Sequence, residues 1–173
     1  MGDISVILTV WKRDNLDQQL ALIQDQTADV DEIYVYQNES HIDISPLKEK
    51  YQFNHIHSKD VNFKFHGRFS LPLLFNTKYT AIFDDDTMPH KRWLEHCKEL
   101  CADRDCIVGA NGRNCDGTGH GLCDGKFNNE PIKCDIVGHC WFFKTEWIHY
   151  MWREKPLTYE NGEDIHFCAT CQI

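Results

Sequence analysis

The stretch YTAIFDDDTMPHKRW, residues 79–93, places three consecutive aspartates directly after a short apolar run. Residues 79–83 have the length and composition of a buried strand, and Pro89 suits the first turn of a following helix. Because adjacent like charges repel, the triplet Asp84, Asp85 and Asp86 calls for an explanation. Two explanations stay open: a solvated acidic turn favoured by the dipole of the following helix, or a site that holds a cation.

Segments typical of strands alternate with segments at helical spacing on both sides of this stretch. The predicted strands cover residues 3–11, 31–40, 53–58, 79–83, 106–111 and 134–145, and the predicted helices cover 13–27, 67–76, 89–103, 146–152 and 161–173. Residues 111–131 are rich in Gly, Asn and Asp and predict a long loop. This alternation predicts an α/β fold, a mainly parallel central sheet flanked by helices, in a single domain spanning residues 1–173.

Ligands of open α/β sheets bind at the carboxyl ends of the strands. The segments predicted at such ends are residues 9–13, 37–39 and 84–86. Strand alternation puts Asp84 and Asp86 on one side of the chain and Asp85 on the other. Two carboxylates on one side are the hard oxygen ligands that Mg²⁺ or Mn²⁺ prefers, so we expect a metal site at this edge.

Two further acidic residues, Glu163 and Asp164, fall in the first turn of the last predicted helix. They either compensate the helix dipole or project a general base into the site. A small basic set is either phosphate-binding or solvated surface. It consists of Lys12, Arg13, Arg68 and Arg113.

Aromatic residues of the segment DIVGHCWFFKTEW, residues 135–147, are candidates for sugar contacts. Trp141 and His139 are suited to flank a sugar ring, although core packing is an equal alternative for Trp141. Phe142 and Phe143 are predicted to belong to the core.

The nine cysteines are predicted to be reduced thiols, because no signal peptide is recognisable. Buried free thiols are the default. The alternative is a structural zinc site formed by Cys97 and Cys101 with loop residues such as Cys115, His120 or Cys123.

The net charge of -9 argues against nucleic acid as a partner, because such binding needs clustered positive charge. No stretch approaches the roughly 20 apolar residues that span a bilayer, so no membrane span is expected. These features predict a cytoplasmic protein, of a microbe or a virus.

Taken together, the motifs resemble the nucleotide-sugar-dependent glycosyltransferases of the GT-A fold, in order and over nearly the whole chain. ISVILTVWKRDN resembles the first strand and loop of that fold, EIYVYQNES its second strand, AIFDDDTMP its DxD motif, and NGEDIHF its later Glu-Asp motif. GRFSLPLLFNTKYTAIFDDD and GEDIHFCA are similar to the exostosin-type branch of these enzymes.

This resemblance implies metal-dependent transfer of a sugar from a nucleoside-diphosphate sugar, in particular a UDP-sugar, to a hydroxyl of a glycan or glycoprotein acceptor. It implies Mn²⁺ or Mg²⁺ as cofactor, held by Asp86 and Asp84, with Asp84 also near the ribose and Asp85 near the transferred sugar. Asp164 resembles the base or acceptor-orienting acid, with Glu163 beside it. The implied nucleotide contacts are Thr9, Val10, Trp11 and Arg13 in the uridine loop, Asn38 at the base and Arg68 at the diphosphate.

The chain departs from the family pattern in two respects. Many members carry an acid at the end of the second strand, where this chain has QNES, and many supply a late histidine as a further metal ligand. The short length also fits a module of a longer protein. Inverting and retaining reactions both stay open.

Two rival functions remain as alternatives for this sequence. A sugar-nucleotide nucleotidyltransferase would carry a Gly-rich signature near the first strand, and LTVWKRDN has no glycine. The other is a non-catalytic, zinc-stabilised binding module.

Overall fold

A computed structural model of the protein describes residues 3–115, 120–122 and 130–172, with the backbone alone for residues 120–122. The strands of this part of the chain are β1 (Ile4–Val10), β2 (Val30–Asn38), β3 (Asn54–Ser58), β4 (Tyr79–Phe83), β5 (Val108–Cys115), β6 (His120–Leu122) and β7 (Ile136–Lys144). The α-helices are α1 (Leu16–Gln24), α2 (Leu47–Lys50), α3 (Trp93–Arg104), α4 (Ile148–Arg153) and α5 (Glu163–Thr170), and 3₁₀ helices cover Gly67–Leu74 and Thr145–Trp147.

The strands form one sheet in the order β3-β2-β1-β4-β7-β5-β6. β3, β2, β1 and β4 are parallel neighbours, whereas β7 runs antiparallel to β4 and β5 runs antiparallel to both β7 and β6. The predicted α/β sheet flanked by helices is confirmed. Its first four strands supply the parallel ladders, and the later strands add an antiparallel half.

Helices cover both faces of the sheet because the central strands are apolar on both sides. Val6 and Leu8 of β1 pack in a core cluster with Leu20 of α1. Ile7 between them points to the opposite cluster, which contains Phe69 of the 3₁₀ helix and Phe167 of α5. These two layers hold the ends of β1, β2 and β4 side by side, which places their following loops at one edge.

Several predicted boundaries shift in the structure. The helix expected from Pro89 begins at Trp93. Residues 67–74 form a 3₁₀ helix, where Pro72 lacks the N–H that a continuing α-helix would use. The loop predicted over residues 111–131 is wrong in its first part, because β5 continues to Cys115 and pairs with β6. Residues 116–119 and 123–129 lie outside the described part.

The cysteines differ from the expectation that all are reduced, because Cys134 is disulfide-bonded. Six others are free thiols: Cys97, Cys101, Cys106, Cys140, Cys168 and Cys171. Among the side chains that the structure describes, no cysteine joins two further Cys, His, Asp or Glu at metal-binding distance. Cys123 and the side chain of His120, candidates for a zinc site, lie outside that set.

No helix in the described ranges combines the length and apolar content that crossing a bilayer requires.

Candidate functional site

The aspartate triplet follows β4 at the edge where the parallel strands end, as the sequence predicts. One ligand atom from each of Asp84, Asp86 and His139 lies within 4.8 Å of the other two. Asp84 is partly buried, while Asp86 and His139 are exposed. Carboxylate oxygens with one imidazole nitrogen form a donor set that suits Mn²⁺ or Mg²⁺.

The antiparallel strand β7 brings His139 to the triplet. Cys140 pairs with Phe83 at the end of β4, so the residue before Cys140 lies beside Asp84. The backbone N–H of Asp84 and the hydroxyl of Thr87 each donate to the His139 carbonyl oxygen at 3.0 Å. These bonds hold His139 at a φ of 65°, a left-handed conformation that residues with a Cβ rarely adopt.

His139 was predicted to lie beside a sugar ring. Its position beside the carboxylates of Asp84 and Asp86 was not predicted. Strand pairing across a long stretch of sequence places it there, and no local pattern shows such pairing.

Arg68 joins the two acidic motifs. Its Nη1 donates to Asp84 Oδ1, and its Nη2 donates to Glu163 Oε1 at 2.9 Å. The arginine side chain is only 6% exposed. Burial raises the pKa of both carboxyl groups, and the Arg68 charge opposes that shift. Both terminal nitrogens of the Arg68 guanidinium already donate to carboxylates. The predicted contact of Arg68 with a diphosphate stays a prediction.

Trp141 does not fit the predicted contact with a sugar. Its ring is 1% exposed, and its Nε1 donates to the Val137 carbonyl at 2.8 Å. The Arg68 guanidinium lies 4.8 Å from the ring centroid. Of the two alternatives for Trp141, its burial fits core packing, in which the ring supports Arg68.

Arg13 and Asp85 form the open side of the site. Arg13 Nη1 lies 2.5 Å from Asp85 Oδ1, and its Nη2 lies 3.3 Å from Asp86 Oδ2. The Arg13 side chain is 55% exposed. Arg13 thus reaches both Asp85 and Asp86, and the predicted separation of Asp85 from Asp86 is not seen, because β4 ends at Phe83, before the triplet.

Helix α1 fixes the backbone of the aspartate loop. The Gln19 amide donates to the carbonyls of Asp84 at 2.7 Å and Thr87 at 3.0 Å, and Asn15 donates to the Asp85 carbonyl at 3.1 Å. Gln19 is 1% exposed. We did not predict this contact, although the sequence carries its signal: a polar residue in the apolar stripe of Leu16, Leu20 and Ile23.

The predicted uridine loop divides into buried and exposed residues. The Thr9 hydroxyl donates to the Phe83 carbonyl at 2.9 Å, tying β1 to β4. Val10 is 3% exposed and belongs to the core. Trp11 is 40% exposed. Of the four residues predicted to contact uridine, Trp11 and Arg13 are therefore the two that present exposed side chains to a ligand.

The end of β2 also carries an acid, Glu39, for which no role was predicted from the sequence. Glu39 follows Asn38 and accepts hydrogen bonds from Trp11 Nε1 at 3.1 Å and Asn62 Nδ2 at 2.8 Å. The Trp11 bond, followed by those from Asn62 and His41, lowers the Glu39 pKa. The amide of Asn38 donates to the Lys64 carbonyl at 3.3 Å. These residues form a polar surface beside the loop after β1.

The first turn of α5 completes the site. Glu163 is buried against Arg68, whereas Asp164 is partly exposed. A methyl group placed on Gly138 would lie 3.7 Å from Asp164 Oδ2, so this carboxylate lies against β7 next to His139. The structure thereby brings both acidic motifs to one place.

No protein-family model and no curated protein sequence matches this chain. Its fold matches solved structures of S. aureus TarS. The structure of TarS 1-349 has a TM-score of 0.70 at 15% identity, over 98% of this chain and 55% of that one. The same protein in complex with UDP has a TM-score of 0.67 at 14% identity, over 98% and 54%. A longer TarS structure has a TM-score of 0.66 at 12% identity, over 98% and 33%. The chain thus spans about half of TarS 1-349, and the likeness shows that the two share a GT-A-like fold.

Proposed function

We propose that this chain is a metal-dependent glycosyltransferase that moves a sugar from a nucleoside-diphosphate sugar, a UDP-sugar, to a hydroxyl of a glycan or glycoprotein acceptor. The observation that carries the proposal is the convergence of Asp84, Asp86 and His139 at the carboxyl edge of a GT-A-like sheet. TarS, which shares the fold, was solved in complex with UDP.

The donor set fits the proposed cofactor. Asp84, Asp86 and His139 would hold Mn²⁺ or Mg²⁺, two hard cations that accept carboxylate ligands. When bound, such an ion supplies Lewis-acid neutralisation of the charge on a diphosphate leaving group. Gln19 keeps the loop in place for this role through its two hydrogen bonds to loop carbonyls.

Donor binding is assigned to side chains at the ends of β1 and β2, of which Trp11 and Arg13 are exposed and Asn38 and Glu39 are partly exposed. Arg13 is free on its solvent side, and a guanidinium binds phosphate oxygens in a bidentate manner. Trp11 and Asn38, with Glu39 between them, offer a ring and polar groups to the nucleoside. Arg68 acts as a positioning residue that keeps Asp84 and Glu163 in place.

Asp164 is assigned the acceptor side. Glu163 is committed to Arg68, whereas Asp164 has no ion-pair partner among the described residues. In an inverting reaction its carboxylate takes the proton of the attacking hydroxyl. In a retaining reaction it orients that hydroxyl.

The test is calorimetric titration of UDP with and without Mn²⁺, together with hydrolysis of a panel of UDP-sugars. Wild type is expected to bind UDP only weakly without Mn²⁺. Loss of groups that support metal ligands lowers metal affinity about 10–100-fold, so Asp86→Asn should lower Mn²⁺-dependent UDP affinity by at least that factor.

The matched control is Asp103→Asn. Asp103 lies near the end of α3. Lys98 of the same helix pairs with Asp3, just before β1 begins. This half of α3 therefore lies at the amino ends of the parallel strands, away from the candidate site. This variant should behave as wild type. Equal UDP affinity with and without Mn²⁺ in wild type, or no binding of any nucleotide sugar, would contradict the proposal.

The two rival functions give different results in the same samples. A nucleotidyltransferase, supplied with UTP and a sugar phosphate, would form the UDP-sugar and release pyrophosphate. A zinc-stabilised module would contain stoichiometric zinc and bind no nucleotide.

A further inference from the structure

A cleft of ≈ 720 Å³ opens beside the 3₁₀ helix Gly67–Leu74. Tyr36 of β2 and His66 lie in its wall, and Phe63, Trp152 and Tyr159 surround them. Its volume falls within the range of about 300–1,000 Å³ that small-molecule sites occupy. These five side chains lie outside the metal and donor site, but Asn62 and Lys64, which also line the cleft, bond Glu39 and Asn38.

Two buried polar side chains in this wall have no hydrogen-bond partner among the described residues. They are the hydroxyl of Tyr36 and the ring of His66, whose nitrogens make no hydrogen bond of normal geometry although the Tyr159 backbone lies near them. The two residues are 4% and 3% exposed, respectively. Buried polar atoms are nearly always satisfied, and each exception indicates a missing ligand or water. Both residues line the cleft, so these unsatisfied groups lie directly behind its surface.

Gly67 makes room for the Tyr36 hydroxyl. A Cβ at position 67 would lie 2.1 Å from that oxygen, so no larger residue fits without moving the tyrosine. The close approach keeps the hydroxyl at the wall of the cleft.

The cleft combines aromatic surface with little net charge. Phe63 and Tyr159 are 55% and 50% exposed, respectively, so their rings are available for contact. Lys64 and Glu160 at its lining are 3.4 Å apart and neutralise each other. Burial lowers the pKa of His66, which keeps its imidazole neutral near pH 7. Phosphate is therefore disfavoured, and a neutral ring bearing hydroxyls is favoured.

We propose that this cleft binds a neutral saccharide, with Tyr36 and His66 bonding its hydroxyls and Phe63 and Tyr159 contacting its apolar ring face. The inference rests on the proposed glycosyltransferase function and assigns the cleft to the acceptor. Gly67 directly precedes Arg68, and Glu160 shortly precedes Glu163, so the cleft adjoins the segment that carries Asp164.

The test is saturation-transfer NMR of the full chain with methyl glycosides of hexoses and N-acetylhexosamines and with their disaccharides. Removing one aromatic contact is expected to weaken saccharide binding about five- to tenfold in Tyr159→Ala and in Phe63→Ala. Both side chains are exposed, so both variants should fold. UDP titration with Mn²⁺ on the same samples reports the donor site, which should be retained.

Tyr150→Ala is the matched control, because this tyrosine is 42% exposed and lies outside the cleft. It should bind saccharide as wild type does. The proposal is overturned if no saccharide of the panel binds while UDP does, or if both cleft variants bind saccharide normally. Loss of UDP binding in the cleft variants would also overturn it, by assigning the cleft to the donor. If saccharide binding depends on the cleft but UDP does not bind at all, the cleft is a saccharide site and the proposed glycosyltransferase function is contradicted.

Discussion

Arg68 is the residue on which the two acidic motifs depend. Asp84 and Glu163 are both shielded from water, and the same guanidinium bonds both carboxylates. A buried carboxylate without a cation would favour its protonated form, as the raised pKa of each group shows. The Arg68 charge therefore favours the ionised form of Asp84, which the proposed metal site requires.

Replacing Arg68 should be severely destabilising. Breaking a buried ion pair by removing one partner costs about 3–5 kcal/mol, because the other charge is left uncompensated. We expect Arg68→Met to lose about that much free energy of unfolding, measured by urea denaturation. The control Arg104→Met removes a surface arginine 3.9 Å from Asp103 and should change stability by less than about 1 kcal/mol. Equal losses in both variants would contradict the role of Arg68.

The burial of His66 predicts a pH dependence of stability. Burial, then the charge of His166 and more weakly that of Arg68, lowers the His66 pKa below its ordinary 6.5, while the Tyr159 backbone opposes the shift. A lowered pKa means that the folded state binds the proton less tightly than the unfolded state. Stability is therefore full above about pH 6.5 and falls as the pH drops through the folded pKa.

We expect His66→Phe to lose less stability than wild type between about pH 7.5 and about pH 5, followed as Tm by circular dichroism. His149→Phe, which replaces an exposed histidine, should keep the wild-type profile. An unchanged profile in His66→Phe would assign the acid sensitivity to other groups.

The pairing of β4 with β7 turns a simple aspartate turn into a site. β7 contributes His139 in a left-handed conformation, fixed by two bonds to its carbonyl oxygen. Strained residues of this kind persist where surrounding structure imposes them, and they cluster at functional sites. Mutation can separate the energetic cost of the left-handed conformation from the contribution of the imidazole to metal binding.

His139→Gly and His139→Ala both remove the imidazole, but only alanine keeps a Cβ. Because a left-handed residue with a Cβ is disfavoured by about 1–2 kcal/mol, the glycine variant should be more stable by that amount in urea unfolding. Both should lose at least about tenfold in Mn²⁺-dependent UDP affinity. Full metal-dependent affinity in either variant would remove His139 from the ligand set.

The sequence predicted a strand or helix well where the signal lies within that element itself. β4 has the predicted bounds, because an apolar run ends abruptly at charged residues. Pairing between distant strands is not visible in such patterns, so the β5–β6 ladder and the place of His139 were missed. The burial of Trp141 was equally invisible, since it depends on Phe69 and Arg68 packing against the ring.

The whole molecule gains its stability from apolar layers on both faces of the sheet. Core clusters built on β1 and its neighbours join helices to the sheet without any metal ligand. The candidate ligands lie at the edge of this core, where Asp86 and His139 are exposed. Folding and metal binding should therefore be separable, unlike in zinc-stabilised modules, which unfold when the metal is removed.

Metal removal should consequently change ligand response and leave the fold intact. In EDTA, the Tm of the protein alone is expected to equal that in Mn²⁺ within error, because the core clusters contain no candidate ligand. UDP added with Mn²⁺ at about 100 times its Kd should raise the free energy of unfolding by about 2.7 kcal/mol, and EDTA should abolish that gain. A drop in Tm caused by EDTA alone would instead favour a metal-stabilised module, and a gain from UDP that survives EDTA would show binding independent of Asp84, Asp86 and His139.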